Sequence, residues 1–176
     1  MKSKKLSEEI VKAFKSNGFV LSEPEVFLDS EYIIQRSGEG FRSSMLTFEN
    51  ERGKVMCLRP DLTVASCLNF LQTRTNSKIY YSGQAYRRSR NKNFDFVHNQ
   101  IGIEIFGSKN QAQDDLKVVS TILNSIKKIK NKKTKIKVGD ISLFKSLINS
   151  LDMPERWKLR LIRHFWRPKY FDELLK

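Results

Sequence analysis

The start of the chain changes from a helical to an extended hydrophobic pattern. Its first apolar residues recur at helical spacing, and Asn17-Gly18 followed by Phe19 is typical of a helix that ends in a left-handed glycine. We therefore predict a first amphipathic helix over about residues 7–16. Residues 19–24 end in Pro24, which cannot continue a helix, so they are predicted to form an extended segment at a sheet edge.

Two apolar runs, residues 45–48 and 55–58, flank the turn-forming residues 50–53 and are predicted to pair as a β-hairpin. Asp61 follows the second run and precedes a helical apolar pattern, so it is predicted to be the N-cap of a helix. The same carboxylate is suited to holding the ammonium group of a ligand. The two roles are compatible, and the sequence favours them equally.

Two longer strands, residues 79–87 and 98–106, are predicted to form the centre of the sheet. Alternation places these residues on one face: Tyr81, Gly83, Ala85 and Arg87 in the first strand, and Gln100, Gly102, Glu104 and Phe106 in the second. The other face of the second strand is Ile101, Ile103 and Ile105, which is typical of a core. A glycine between an amide and an acid removes the side chain that would block access. This polar face is therefore predicted to be the floor of a pocket.

The last third of the chain is predicted to be mostly helical. An amphipathic helix runs from about Leu116 to Ile129, a short strand covers residues 136–138, and Asp140 caps another helix. Pro154 and Pro168 are each predicted to open a short helix, and the stripe of large apolar residues after Pro154 is interpreted as packing. Because no repeat or flexible linker interrupts the chain, all 176 residues are predicted to form one domain.

Composition argues against a disordered or a membrane-spanning protein, and the net charge raises the question of a nucleic-acid partner. With 39% hydrophobic residues, the chain is expected to fold, and its apolar runs are too short to cross a bilayer. The net charge of +14 suggests a nucleic-acid partner. However, the densest basic segment, residues 127–137, has no aromatic residue to stack on a base, so it is interpreted as a solvated helix end. A nucleic-acid partner is therefore not favoured.

The few cysteines and histidines predict neither a disulfide nor a metal site. Cys57 and Cys67 form no Cys-x-x-Cys pair, and His98 and His164 belong to no cluster with ligand spacing. The basic amino terminus is not followed by the apolar segment of a secretory signal. We therefore expect reduced cysteines, no metal or cofactor, and a cytoplasmic location.

Three motifs in a fixed order suggest a family. They are Leu-Arg-Pro-Asp-Leu-Thr at 58–63, Tyr-Ser-Gly-Gln-Ala-Tyr-Arg at 81–87 and Asn-Gln-Ile-Gly-Ile-Glu-Ile-Phe-Gly at 99–107. This order resembles the catalytic core of class II histidyl-tRNA synthetases. It resembles still more closely the synthetase-like regulatory subunits of ATP phosphoribosyltransferase. Asp61 stands where the synthetases carry a glutamate, and the tail, residues 139–144 and 163–165, is similar to that of the regulatory subunits. The resemblance runs from about Phe14 to the last residue.

The resemblance implies an α+β fold, a class II aminoacyl-tRNA synthetase-like antiparallel sheet flanked by helices. It implies that Asp61, Thr63, Gln100 and Glu104 surround the ammonium group of an amino acid, that Arg87 faces its carboxylate, and that Pro24 lies at a homodimer interface. Phe96 stands where the synthetases carry a second arginine, and their motif 3 has no counterpart before residue 176. The resemblance therefore implies no catalytic residues.

The function that this implies is a non-catalytic regulatory subunit of ATP phosphoribosyltransferase, which acts in the first step of histidine biosynthesis. Its partner would be the catalytic subunit in a hetero-oligomer, and its ligand would be histidine. Two alternatives stay open from the sequence: a degenerate histidyl-tRNA synthetase, and a stand-alone module that binds an amino acid or a nucleic acid.

Overall fold

A computed structural model describes residues 2–75, 77–88, 96–127 and 135–176, with side chains from residue 6 onward. The helices are α1 (Lys2–Ser16), α2 (Ser30–Ser37), α3 (Leu62–Thr73), α4 (Gln111–Lys127), α5 (Ile141–Ser150), α6 (Glu155–His164) and α7 (Pro168–Leu174), with a 3-10 helix at Glu39–Ser44. The strands are β1 (Val20–Leu21), β2 (Phe27–Asp29), β3 (Thr47–Glu49), β4 (Val55–Leu58), β5 (Lys78–Tyr86) and β6 (Val97–Ile105).

The chain groups into two compact units, Met1–Lys132 and Lys133–Lys176. The first contains all six strands and helices α1 to α4, and the second contains α5 to α7. The expectation that the whole chain folds as one domain stays a prediction. No helix in the described ranges combines the length and apolarity that a membrane span requires.

The central sheet of the first unit has the strand order β1-β5-β6. β1 pairs in parallel with β5, and β5 pairs antiparallel with β6 over nine residues. One face of this sheet packs on α1 and α4 through a core of Phe14, Phe19, Tyr80 and Ile103. The other face meets α3 through Leu62, Ile79, Tyr81 and Ala85. The predicted edge segment, the two long strands and the isoleucine core face are therefore confirmed.

Helix α1 ends as the sequence predicts. Gly18 has a φ of +81°, its N–H donates to the carbonyl of Lys15 at 3.0 Å, and the Phe19 N–H donates to the carbonyl of Phe14 at 3.2 Å. This pair of bonds is a Schellman motif. The Phe14 and Phe19 rings, whose centroids lie 6.4 Å apart, supply its hydrophobic contact. The helix begins at Lys2, about five residues before the predicted start.

A second sheet has the order β2-β4-β3 and packs on α2. The β3–β4 pair is the predicted hairpin, with Phe48 opposite Met56. The buried core beside this sheet contains residues of the sheet, of α2 and of α3, together with Met45: Leu28, Ile33, Ile34, Cys57 and Ala65. Neither β2 nor α2 was predicted from the sequence pattern. Asp29 joins them, because it ends β2 and its carboxylate accepts the Glu31 N–H at 2.9 Å as the N-cap of α2.

The buried face of α4 differs from the predicted one. Thr121 and Ser125 are the buried residues of this helix, whereas Leu116 is 67% exposed. The Ser125 hydroxyl donates to the Thr121 carbonyl at 2.7 Å, so its burial leaves no orphaned donor. The predicted end near residue 129 and most of the lysine-rich segment, residues 128–134, lie outside the described residues.

In the second unit, Asp140 caps α5 by accepting the Ser142 N–H at 2.8 Å, Pro154 precedes α6, and Pro168 begins α7. These three predictions are confirmed. The predicted strand at 136–138 is wrong, because Ile136 and Val138 are exposed and no described strand pairs with them. So short a strand needs a neighbour to supply its ladder hydrogen bonds.

Candidate functional site

Four polar side chains meet on the α3 face of the central sheet, and we call them the Tyr81 cluster: Thr63, Tyr81, Gln100 and Glu104. The Glu104 Oε1 accepts from the Thr63 hydroxyl at 2.8 Å and from the Tyr81 hydroxyl at 3.2 Å. Gln100 Nε2 donates to the Tyr81 hydroxyl at 3.4 Å, and the hydroxyls of Thr63 and Tyr81 lie 3.1 Å apart. The carboxylate is thus held by two hydroxyl groups.

The strand register explains why these side chains converge. Tyr81 is opposite Gly102, and Gly83 is opposite Gln100, so the three side chains from β5 and β6 share one face. Thr63 comes from the first turn of α3, which packs on that face. Sequence alternation placed Gln100 and Glu104 correctly but did not identify Tyr81 as the residue that connects them.

Asp61 is the N-cap of α3, which confirms one of its two predicted roles. Its Oδ1 accepts the Val64 N–H at 2.9 Å. Gln100 contributes to the same helix start, because its Oε1 accepts the Leu62 N–H at 3.2 Å. Residues 61 and 100 therefore fix where α3 begins relative to β6. The second role of Asp61, as a ligand for an ammonium group, stays a prediction.

Gly102 has a different purpose from the predicted one. A Cβ at this position would overlap the phenol of Tyr81. The space that we expected to be open to a ligand is filled by that ring. The glycine is thus required for the Tyr81 cluster to form, and the interpretation of Gly102 as open access was wrong.

The Tyr81 hydroxyl keeps its proton at neutral pH. Burial raises its pKa above the usual range, and the negative charge of Glu104 raises it further, although hydrogen bonds from Thr63 and Gln100 act in the opposite direction. As a neutral phenol, Tyr81 donates to the carboxylate. The cluster therefore presents one anionic group surrounded by hydroxyls and an amide.

Arg87 follows the end of β5 that is remote from Glu104. Glu104 pairs with Ile79 on β5. Arg87 comes eight residues after Ile79, which corresponds to about 26 Å of extended chain. The Arg87 Nε is buried and has no hydrogen-bond partner among the described residues. Its predicted role with a carboxylate stays a prediction.

Arg59 is a buried cation whose role has no signal in the sequence pattern. Its guanidinium donates to the carbonyl of Gln84 at 2.9 Å and to the carbonyl of Pro24. A Cβ at Gly83 would lie 3.0 Å from its Nη2, so that glycine lets the guanidinium pass close to β5. Because all these acceptors are backbone carbonyls, Arg59 has a structural role.

A cavity of about 510 Å³ adjoins the Tyr81 cluster at Thr63. Its walls include Tyr32, Arg36, Val64, Cys67, Leu68 and Phe106. These residues supply aromatic and aliphatic surface with one guanidinium, a composition suited to a small organic ligand. Among the described residues, no group of three or more His, Cys, Asp or Glu side chains is arranged to hold a metal ion.

A family model described as histidyl-tRNA synthetase matches residues 1–173, which is nearly the whole chain. The chain belongs to the histidyl-tRNA synthetase family. The three motifs and the Tyr81 cluster thus lie within a histidyl-tRNA synthetase-like domain, and the order of motifs in the sequence predicted this family.

The curated relatives carry a more specific name. A protein from Sinorhizobium medicae (strain WSM419), named ATP phosphoribosyltransferase regulatory subunit, is 29% identical over 95% of this chain and 45% of its own length. A protein of the same name from Brucella ovis is 31% identical over 75% of this chain and 35% of its own length. The chain thus spans less than half the length of these relatives.

Two solved structures establish the fold class. The first, described as an ATP phosphoribosyltransferase regulatory subunit/histidyl-tRNA synthetase from Bacillus halodurans, has a TM-score of 0.80 at 19% identity, covering 98% of this chain and 46% of that one. The second, a histidine–tRNA ligase subunit from Alicyclobacillus acidocaldarius, has a TM-score of 0.74 at 16% identity, covering 98% and 51%. The predicted class II synthetase-like α+β fold is confirmed.

Proposed function

We propose that this chain acts as a non-catalytic regulatory subunit of ATP phosphoribosyltransferase, in the cytoplasm, in the first step of histidine biosynthesis. The observation that carries the proposal is the name shared by the curated relatives, the first of which aligns with 95% of the chain. The phosphoribosyl transfer would then take place on a separate catalytic subunit, and this chain would bind that subunit.

The residues between β5 and β6 support a non-catalytic role. Phe96 occupies the position where the synthetases carry an arginine that holds nucleotide phosphates. In the structure, the Phe96 carbonyl accepts the Arg87 N–H at 2.9 Å, so this residue contributes its backbone to the end of the β5–β6 ladder. An apolar ring cannot replace a guanidinium as a phosphate ligand.

We propose further that the Tyr81 cluster and the adjoining cavity bind free histidine. The Glu104 carboxylate and the Thr63 hydroxyl would accept from the ammonium group, with Gln100 and the second carboxylate oxygen of Asp61 nearby. The apolar wall of the cavity, which includes Phe106, would cover the ligand's side chain. Arg87 would contact the ligand's carboxylate only if the ligand extended along β5.

A homodimer within a hetero-oligomer completes the proposal. β1 is an edge strand of the central sheet, and its residues Val20 and Leu21 are about half exposed. An exposed apolar edge is a liability unless another chain covers it. Pro24, just after β1, is buried within the subunit. The dimer contact would therefore involve β1 rather than the proline ring itself.

The decisive experiment reconstitutes the complex. The short-form catalytic subunit from the same genome is assayed for ATP phosphoribosyltransferase turnover with and without this chain, and with increasing histidine. We expect this chain to increase turnover and to confer inhibition by histidine. Histidine-dependent pyrophosphate exchange by this chain alone would instead support a synthetase activity and refute the proposal.

A further inference from the structure

In the described part of the C-terminal unit, two arginines of α6 and the arginine that precedes α7 have no acidic partner. Arg160, Arg163 and Arg167 are all exposed. The ion pairs found in the described ranges involve none of them. An exposed guanidinium with no internal counter-charge is available to an external anion at little desolvation cost.

Aromatic rings hold two of these guanidinium groups in place. Arg160 lies 5.3 Å from the centroid of the Trp157 ring and 5.9 Å from that of Tyr170, and its Nη2 donates to the Tyr170 hydroxyl at 2.7 Å. Arg167 lies 4.6 Å from the Trp166 centroid. Each arginine has five N–H donors, so most remain for another acceptor. Because the rings restrict the guanidiniums, binding costs less side-chain entropy.

Arg160 and Arg163 lie three residues apart on α6 and so share one face of the helix, Arg167 follows α6, and His164 lies among them. Its pKa is lowered first by burial and then by the charges of Arg167, Arg163 and Arg160. Its Nδ1 is buried and has no hydrogen-bond partner in the described part of the chain. The histidine is therefore neutral at pH 7 and supplies no charge of its own, and the surface is positive because of the arginines.

We propose that this arginine–tryptophan surface, formed by Trp157, Arg160, Arg163, Trp166 and Arg167, is a docking site for a carboxylate-rich segment of a partner protein. Trp, Tyr and Arg are the residues that dominate binding energy at protein interfaces. The planar guanidinium fork also matches a carboxylate with two parallel hydrogen bonds.

The ring contacts favour a protein over a nucleic acid. Single-stranded nucleic acids bind by stacking bases on open aromatic faces. Here a guanidinium already covers one face of Trp157 and one face of Trp166. The docking site does not depend on the proposed function, since it is defined by the chemistry of α6 and of the residues that join it to α7.

The test uses the full chain and a fluorescein-labelled peptide of twelve glutamates, followed by fluorescence anisotropy at low salt. The Arg163→Gln/Arg167→Gln variant should bind this peptide at least about ten-fold more weakly than the wild type, as expected for the loss of charge-assisted hydrogen bonds. The matched control is Lys12→Gln/Lys15→Gln, which removes the same charge from exposed positions of α1. It should bind within about three-fold of the wild type.

A third variant, Arg160→Lys/Arg163→Lys/Arg167→Lys, keeps the positive charge but replaces the planar guanidinium groups with ammonium groups. It should also bind the peptide more weakly than the wild type. Circular dichroism checks that each variant is folded. Absence of peptide binding by the wild type overturns the proposal. An equal loss of affinity in the two glutamine variants also overturns it, because the peptide would then be bound by the net charge of the protein and not by this surface. Tighter binding of a U12 RNA with the same arginine dependence would assign the surface to phosphates and would likewise overturn it.

Discussion

The phenol of Tyr81 lies over Gly102 on the neighbouring strand, in the space that a Cβ at residue 102 would occupy. The Gly102→Ala substitution must displace this ring and with it the hydrogen bonds to Glu104 and Gln100. We expect a loss of about 1–3 kcal/mol in the free energy of unfolding, measured by urea denaturation. Gly40→Ala is the control, because nothing lies within 4 Å of its added Cβ. Equal stability of the two variants would contradict the packing described here.

Glu104→Gln tests the proposed amino-acid site. The substitution keeps the shape and an acceptor oxygen for Thr63 but removes the negative charge that an ammonium group would meet. We expect it to weaken histidine binding by about 1.5–3 kcal/mol in titration calorimetry, with the fold intact. Glu49→Gln, on exposed strand β3, is the matched control. If Glu104→Gln and the wild type bind histidine equally, the site assignment is incorrect.

Two substitutions of Asp61 separate its structural role from its proposed ligand role. Asp61→Ala removes the N-cap of α3 and should cost about 0.5–2 kcal/mol of stability. Asp61→Asn retains a capping oxygen, so its stability should stay close to that of the wild type. If the carboxylate also holds an ammonium group, Asp61→Asn should still bind histidine more weakly. Loss of stability in both variants to the same extent would contradict the cap.

The two free cysteines should differ in reactivity. Burial raises the pKa of the Cys57 thiol to about 11, so at pH 8 roughly one molecule in a thousand carries the thiolate. Cys67 is only half-buried. A chromogenic disulfide reagent should therefore label Cys67 in the native protein and both cysteines after denaturation. Native Cys67→Ser should remain unlabelled, and rapid labelling of that variant would refute the burial of Cys57.

The same pKa shift predicts a pH dependence of stability. The folded state raises the pKa of Cys57 from a reference value of 9.0 to about 11, so folding favours the protonated thiol. The stabilisation is fully present below about pH 9 and is lost as the pH rises to about 11. In urea denaturation across this range, Cys57→Ala should lose less stability with rising pH than the wild type does.

The sequence pattern predicted the elements whose apolar residues all lie on one face or whose end is marked by a local signal. The isoleucines of β6 and the end of α1 at Gly18 are examples, because apolar alternation and a left-handed glycine leave few other conformations. The order of the three motifs predicted the fold class. Strand alternation also placed Gln100 and Glu104 on one face, whereas Thr63 was assigned to the site only through the resemblance to the family.

Other features depend on contacts that are distant in the sequence. β2 is only three residues long, and its pairing with β4 has no local signal. The buried face of α4 carries Thr121 and Ser125 rather than its large apolar residues, since their position against neighbouring elements, not hydropathy, decides burial. Tyr81 and Arg59 were missed as connecting residues because their partners come from other strands and from the α3 helix.

Arg59 links the two sheets of the N-terminal unit into one cooperative structure. It follows β4 of the second sheet, its guanidinium bonds to the Gln84 carbonyl in β5 of the first, and its own carbonyl accepts the Tyr86 N–H at 2.9 Å. Neither sheet can separate from the other at this point without exposing a buried cation and several unpaired carbonyls. Amide hydrogens on β4 and β5 should therefore exchange with solvent through a shared opening event, with one common protection free energy rather than two.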